Sequence, residues 1–234
     1  MKFQFNLQLY LYLTLGFIIA TVAGTQTHEW GHYFAARYFG FDTNLHYASV
    51  TYDKVSEQVV IEAFYNKNKD KILAKETSPE KEHFVKWYQD IKNKYFLITI
   101  AGPLQTIVTG TLGLILLLYQ RKKIIQKGLQ FYEWIVVFLT FFWSRQLGIL
   151  IQKVVYYVIE HRGRGDEEKI ARYLNINQWV PALTTGIIAF AILFYVVFRI
   201  LPAKQRFTFL IAGASGCFLG AIIWFGFLGP VILP

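Results

Sequence analysis

Apolar residues in this chain gather into long runs that are separated by shorter polar segments. A run of about 18 or more apolar residues is long enough to cross the hydrocarbon layer of a membrane as an α-helix. Tyrosine, tryptophan and phenylalanine crowd the ends of the runs, as they do at membrane interfaces. Five such runs occupy residues 3–26, 96–120, 129–159, 179–200 and 207–233. The pattern predicts an all-α, polytopic membrane protein with about five transmembrane helices.

The third run is interrupted by the sequence Trp143-Ser144-Arg145-Gln146. Because two full crossings need at least about 34 residues, residues 129–159 predict a single crossing that is bent or re-entrant. An arginine at this depth normally faces the interior of a helix bundle or a polar cavity. Arg145 is therefore a secondary functional candidate.

The long polar segment, residues 40–95, divides into two parts. Residues 50–55 and 59–65 are rich in β-branched and aromatic side chains around a polar turn, which predicts a small β-hairpin. The lysine-rich remainder predicts a short surface helix that begins near Ser78 and Pro79.

The composition agrees with a membrane protein, because 54% of the residues are hydrophobic and only 17% are charged. The net charge of +9 comes mainly from the connecting segments, where the lipid bilayer accounts for it, and we expect no nucleic-acid partner. Cys217 is the only cysteine. The chain therefore has no internal disulfide, and any bound metal must use histidine and carboxylate ligands.

Five crossings place the connecting segments on alternate sides of the membrane. Residues 37–95, 160–178 and the C-terminus share one side, called side B, while residues 121–128 and 201–206 lie on the other, side A. The short side-A segments carry only basic charges, which favours a cytoplasmic side A. The long first run and its weakly charged start favour a retained helix over a cleaved signal peptide.

The sequence His28-Glu29-Trp30-Gly31-His32 fits the pattern H-E-x-x-H near the end of the first helix. Residues i and i+4 share a helix face, so both imidazoles can bind one metal ion. Zn²⁺ suits this site because it accepts histidine nitrogens and a carboxylate and keeps one position open. Glu29 would take a proton from the attacking water and pass it to the leaving amine. The alternative, a merely solvated helix end, explains less, because ionisable groups in an apolar helix are costly.

A catalytic zinc site needs a third protein ligand. Ala35 and Tyr38 occupy the glycine and histidine positions of the extended pattern H-E-x-x-H-x-x-G-x-x-H, so that pattern fails. Asp166 is the leading candidate because it follows the third run on side B, but it could instead N-cap a short helix. The other candidates on side B are Glu57, Glu62, Glu160, His161, Glu167 and Glu168.

These motifs resemble the site-2 protease family of intramembrane zinc metalloproteases. The matching elements are the H-E-x-x-H sequence at 28–32, Ala101-Gly102-Pro103 near the start of the second membrane helix, and a carboxylate after the third. The resemblance implies helices around a water-accessible zinc and hydrolysis of a substrate's membrane segment. It also implies a zinc nearer the cytosol, which would make side B cytoplasmic, opposite to the charge of the short segments.

The resemblance further implies that Gly102, Pro103 and Thr106 bind substrate, although many family members have asparagine at the position of Thr106. The chain also departs from the family in having Gly165-Asp166 where members have Leu-Asp-Gly. Under the same resemblance, the predicted strands between residues 50 and 65 either pair with an extended substrate or only pack over the site.

We therefore expect a catalytic membrane core in residues 1–177, with helices at about 3–39, 96–120 and 129–159, and two further transmembrane helices in residues 178–234. The predicted function is a zinc-dependent endopeptidase that cleaves membrane-protein substrates in or near the bilayer. One alternative is a surface-cutting metalloprotease of the prenyl-protein-processing type, which would use glutamate as third ligand. The other is a non-catalytic metal-binding membrane scaffold.

Overall fold

A computed structural model describes residues 5–53, 55–160 and 165–234. The fold is helical with one small two-stranded sheet, as the hydrophobic pattern predicts. In chain order, the helices and strands are α1 (Leu7–Tyr38), β1 (Asp42–Leu45), β2 (Val50–Asp53), α2 (Val55–Leu73), α3 (Pro79–Lys127), α4 (Phe131–Thr140), α5 (Ser144–Glu160), α6 (Asp166–Leu174), α7 (Val180–Tyr195), α8 (Ala203–Ile223) and α9 (Gly229–Ile232).

Within the described ranges, five helical segments are long and apolar enough to cross a membrane. They are Leu7–Tyr38, Pro79–Lys127, Phe131–Ile159, Val180–Ile200 and Ala203–Ile232. Large apolar side chains such as Leu11, Leu15 and Ile19 of α1 are exposed on the outside of the bundle. An apolar outer surface is suited to lipid rather than to water.

Helix α3 begins where its sequence predicts, but it is far longer than the predicted surface helix. The Ser78 hydroxyl caps it by accepting a hydrogen bond from the Lys81 amide at 3.2 Å, and Pro79 follows as the first helical residue. The expectation of a short helix is wrong: the 49 residues of α3 continue without a break into the second membrane span. No glycine or proline occurs between Pro79 and Gly102 to end the helix.

The third span is a single interrupted helix, as its length predicts. Helices α4 and α5 are joined by a 3₁₀ turn at Phe141–Trp143, immediately before Ser144 and Arg145. A short 3₁₀ segment inside a longer helix is a common form of local bend or hinge. The interruption therefore lies where polar residues break the apolar run.

The predicted β-hairpin exists in the first long connection, but it is built from other residues. Strand β1 pairs antiparallel with β2, with Asp42 opposite Asp53 and Leu45 opposite Val50. The prediction of a strand at 59–65 is wrong, because these residues belong to α2. The Tyr65 ring lies 5.4 Å from the Phe84 ring of α3, so packing against a neighbouring helix overrides the local β propensity.

The main hydrophobic core lies where α1, α3, α4, α8 and the segment Val196–Ile200, at the end of the fourth span, meet. The Phe17 ring of α1 lies 5.1–5.7 Å from the rings of Phe138, Phe141 and Phe209. The core therefore anchors the N-terminal half of α1 against helices from both the predicted catalytic region and the last span. This packing holds the C-terminal half of α1, which carries the H-E-x-x-H sequence, next to α3.

Candidate metal centre

The H-E-x-x-H sequence lies inside a continuous helix and is buried. His28, Glu29 and His32 are only 1%, 6% and 8% exposed. The two histidines lie one helical turn apart on one face of α1. Because buried ionisable groups are costly unless partnered, their surroundings decide what they do.

Two glycines bring α1 and α3 into close contact at this level. A Cβ atom at Gly31 would lie 2.6 Å from the carbonyl oxygen of Ala101 on α3. A Cβ atom at Gly102 would lie 2.3 Å from the Nε2 atom of His32 and 2.8 Å from that of His28. Neither position has room for a larger side chain. The histidine rings therefore lie directly on the backbone of α3.

Asp166 completes a group of three potential metal ligands with His28 and His32. Asp166 Oδ2 lies 3.3 Å from His28 Nε2 and 3.1 Å from His32 Nε2, and the two Nε2 atoms are 3.3 Å apart. A tetrahedral site with metal–nitrogen and metal–oxygen bonds of about 2.0–2.1 Å has edges of about 3.3 Å. The spacing of the three atoms thus matches three corners of such a site.

The hydrogen bonds behind the histidines leave both Nε2 atoms free to bind a cation. His32 Nδ1 donates to the Ile98 carbonyl at 2.7 Å, because a carbonyl oxygen only accepts. Thr106 Oγ1 donates to the Gly102 carbonyl at 3.3 Å and so accepts from His28 Nδ1 at 3.0 Å. This network assigns the proton of each ring to Nδ1. The lone pairs of the two Nε2 atoms and of Asp166 Oδ2 then lie close together, so that the group can hold a metal ion.

Asp166 is the first residue of α6, and its carboxylate points to the histidines. The alternative that Asp166 caps this helix is wrong, because Gly165 occupies the N-cap position. Helix α6 is fastened by an ion pair between the buried Lys153 of α5 and the half-buried Glu168, with Nζ 3.0 Å from Oε2. Lys153 Nζ also donates to the Gln178 carbonyl at 2.6 Å. These contacts fix the helix that supplies the third ligand.

The other candidates for third ligand lie outside the group. Glu168 is paired with Lys153, while Glu167 is buried beside Asp166, and burial raises the pKa of its carboxyl. Glu57 and Glu62 lie on α2. His161 and the side chain of Glu160 lie outside the described residues.

Glu29 faces the same cavity as the three potential ligands but does not belong to their group. Arg145, at the start of α5, places its Nη2 atom 3.9 Å from Glu29 Oε1. The Nε atom of Arg145 is buried and has no hydrogen-bond partner among the described residues. The interruption of the third span thus brings the cation noted in the sequence to the metal centre.

The cavity at this centre has a volume of about 270 Å³. Besides the three potential ligands, Glu29 and Arg145, its wall includes Thr99, Lys169 and residues of the β-hairpin. The hairpin residues are Ala48, Ser49, Val50 and Tyr52. The site is therefore open to a bound molecule of moderate size and is bordered by the extended strand β2.

Two sets of contacts hold the hairpin over the cavity. The rings of Tyr52, Phe41 and Tyr95 lie 5.3–5.8 Å from one another and fasten β2 to α3. At the hairpin turn, the Tyr47 carbonyl accepts hydrogen bonds from Gln26 Nε2 at 2.6 Å and from Trp224 Nε1 at 2.8 Å. The hairpin is thus attached to α1 and to the end of the last span.

The sequence-predicted residues of α3 lie behind the metal ligands. Gly102 contacts both histidine rings and Thr106 bonds His28, while Pro103 is buried within α3. None of the three is among the residues that line the cavity at the metal centre. Their assignment to substrate binding stays a prediction, and the observed contacts are those of residues that orient the ligands.

Sequence reasoning missed Lys153 and the Ile98 carbonyl. A lysine within an apolar segment is a recognisable signal, because ionisable residues in membrane helices usually have a partner or a function. A backbone carbonyl carries no signal in the sequence.

Comparisons of the chain with family models, curated proteins and solved structures found no match.

Proposed function

We propose that this protein is a zinc-dependent intramembrane endopeptidase, similar in mechanism to the site-2 proteases. The observation that carries the proposal is the buried group of His28, His32 and Asp166, with Glu29 beside it, within a helix apolar enough to cross a membrane. Two imidazole nitrogens and one carboxylate oxygen form a ligand set typical of catalytic zinc.

Zinc is the metal of this proposal because His28 and His32 belong to an H-E-x-x-H sequence, the pattern of zinc proteases, and Asp166 adds a carboxylate oxygen within 3.3 Å of both Nε2 atoms. When bound, zinc supplies a Lewis acid that polarises a carbonyl oxygen and lowers the pKa of a coordinated water to about 7. The chain leaves a cavity of about 270 Å³ on the open side of the three ligands. A peptide group and a water molecule fit within that space.

Glu29 is the proton carrier of the proposed reaction. Its carboxylate takes a proton from the water as the water oxygen bonds to the carbonyl carbon of the substrate. The same proton passes to the amide nitrogen as the carbon–nitrogen bond breaks, so that a carboxylic acid and an amine are released. Arg145 holds a positive charge next to Glu29, and its Nε atom has no hydrogen-bond partner within the described ranges, so that it can stabilise the negative charge that develops on the carbonyl oxygen.

Strand β2 supports the same function because its residues Val50 and Tyr52 line the cavity. Its partner β1 lies on one side, and no described strand pairs with its other edge. A substrate segment that pairs with this edge would be extended, which exposes peptide bonds that a helix hides. The prenyl-protein-processing alternative requires a glutamate ligand, whereas the described group contains Asp166.

The deciding experiment compares the wild-type chain with Glu29→Gln. We expect each purified protein to carry about one zinc ion, measured by elemental analysis. Wild type should cleave members of a panel of reconstituted single-span membrane proteins, and Glu29→Gln should do so about 10²–10⁴-fold more slowly. Glu82→Gln, on the water-exposed start of α3, is the matched control and should behave as wild type. Equal cleavage, or equal lack of cleavage, by wild type and Glu29→Gln would refute the proposal.

A further inference from the structure

A second cavity lies immediately behind the metal centre, between α1, the 3₁₀ turn and α8. Its volume is about 280 Å³. Arg145 lines both cavities, and Thr106, which bonds His28, lines the second. The two cavities are therefore adjacent and share a charged residue at their junction.

The second cavity has mainly apolar walls. Phe17, Phe141 and Phe142 supply aromatic surface, while Ala20 and Gly24 of α1 leave the space open. Gly24 lies one helical turn before His28, a displacement of about 6 Å along the helix axis. The cavity thus extends from the metal centre back along the apolar part of α1.

We propose that this cavity is a subsite for the side chain of the substrate residue next to the cleaved bond, and that it selects large apolar residues. The inference rests on the proposed function. A carbonyl group beside Arg145 and Glu29 would place its neighbouring side chain at the mouth of the cavity. Burial of an aliphatic or aromatic side chain in this cavity lowers the free energy of the complex. A lysine side chain would carry its charge into apolar walls next to Arg145, which is unfavourable.

Gly24 allows a sharp test of the subsite. A Cβ atom at Gly24 has its nearest neighbour, an atom of the Phe142 ring, at 3.9 Å, which is ordinary contact distance. A Cβ atom is therefore tolerated at Gly24, and because Gly24 and Phe142 both line the cavity, we expect the side chain of Gly24→Leu to fill part of it. Gly148 of α5 is the matched control, because it lies outside the cavity and a Cβ atom there meets nothing within 4 Å. Both substitutions exchange glycine for leucine within a helix.

The experiment measures the binding of two hydroxamates to the zinc-loaded full chain by calorimetry. Both carry the same metal-binding group, and they differ in having either a methyl or a benzyl side chain. We expect wild type and Gly148→Leu to bind the benzyl compound about 10- to 100-fold more tightly than the methyl compound. In Gly24→Leu, the ratio of the affinity for the benzyl compound to the affinity for the methyl compound should fall to about one, while the zinc content is unchanged. Ala20→Leu, which fills the same cavity, replaces Gly24→Leu if that variant does not fold.

Each outcome separates the subsite from the proposed function. The subsite would be overturned if wild type bound the benzyl and methyl compounds equally tightly, or if Gly24→Leu and Ala20→Leu both kept the wild-type ratio of affinities. Either result would leave the zinc protease proposal intact. A lipid chain would then be the occupant of the cavity. The expected ratios in a protein that cleaves no membrane substrate would show that the cavity binds a large apolar group beside the metal, and would overturn the protease and with it the cavity's role as a substrate subsite. A chain that binds no zinc would overturn both.

Discussion

At the scale of single residues, the candidate metal centre includes groups that orient the potential ligands as well as the potential ligands themselves. His28 is held by the Thr106 hydroxyl and His32 by the Ile98 carbonyl, so each ring presents Nε2 to the same point. Such outer contacts typically contribute a factor of 10 to 100 to metal affinity. Gly102 adds a steric requirement, because the rings occupy the place of its side chain.

Thr106→Val tests this role of the hydroxyl. The substitution keeps the size and branching of the side chain but removes the acceptor for His28 Nδ1. We expect the zinc affinity, measured by chelator competition, to fall about 10- to 100-fold. Thr106→Ser keeps the hydroxyl and should retain most of the affinity. If valine and serine variants bind zinc as tightly as wild type, the hydroxyl does not orient His28.

At the scale of helices, the position of α6 decides whether there is a third ligand. The helix has only nine residues, too few to be stable alone, and it depends on its contacts with α5 and α3. Lys153 and Glu168 fasten it to α5, and the Tyr173 ring stacks on the Phe96 ring of α3 at 3.9 Å. These attachments hold Asp166 opposite the histidines.

Lys153→Met should therefore weaken zinc binding although Lys153 does not touch the metal site. Removing the lysine leaves the half-buried Glu168 carboxylate without its cation, which is unfavourable. We expect a fall of about 10-fold or more in zinc affinity, approaching the loss in Asp166→Ala. Lys127→Met, at the exposed end of α3, is the control and should bind zinc normally.

Thermal unfolding of the zinc-free proteins separates positioning from general stability. If Lys153→Met lowers the unfolding temperature but keeps wild-type zinc affinity, the ion pair stabilises the fold without positioning Asp166.

At the scale of the whole molecule, the five spans arrange the site so that all its parts lie at one end. The C-terminal half of α1, the start of the membrane part of α3, the hairpin and α6 all meet there. By parity of five crossings, this end is side B. Helix α3 is about 73 Å long at 1.5 Å per residue, which exceeds the roughly 30 Å hydrocarbon layer, and we expect it to project beyond the membrane on side B.

Single cysteines placed shortly before α3 and at its C-terminal end test this arrangement. In a Cys217→Ala background, Lys75→Cys and Lys127→Cys should react with a membrane-impermeant maleimide from opposite sides of sealed vesicles. One should be labelled at once and the other only after permeabilisation. Labelling of both from the same side would contradict the five-span topology and the position of the site.

Much of this architecture follows from local signals. The apolar runs predict the five spans because each must be about 20 residues long, and Ser78 and Pro79 predict the start of α3. The prediction of a strand at 59–65 was wrong because β-branched and aromatic residues occur in both strands and helices. The packing of Tyr65 against Phe84 stabilises the helix here. Strand β1 has only four residues, too few for a clear alternating pattern.

The sequence by itself determined the spacing of His28, Glu29 and His32, because an i, i+4 pair on a helix needs no information from elsewhere in the chain. Only the tertiary structure decided that Asp166, 138 residues from His28, completes the group. The tertiary structure also decided that Arg145 lines the same cavity, that Thr106 bonds His28, and that Lys153 holds the helix that carries Asp166. The physical reason is that helix packing sets such contacts, and packing depends on close approaches such as Gly102 against His32 that no local pattern encodes.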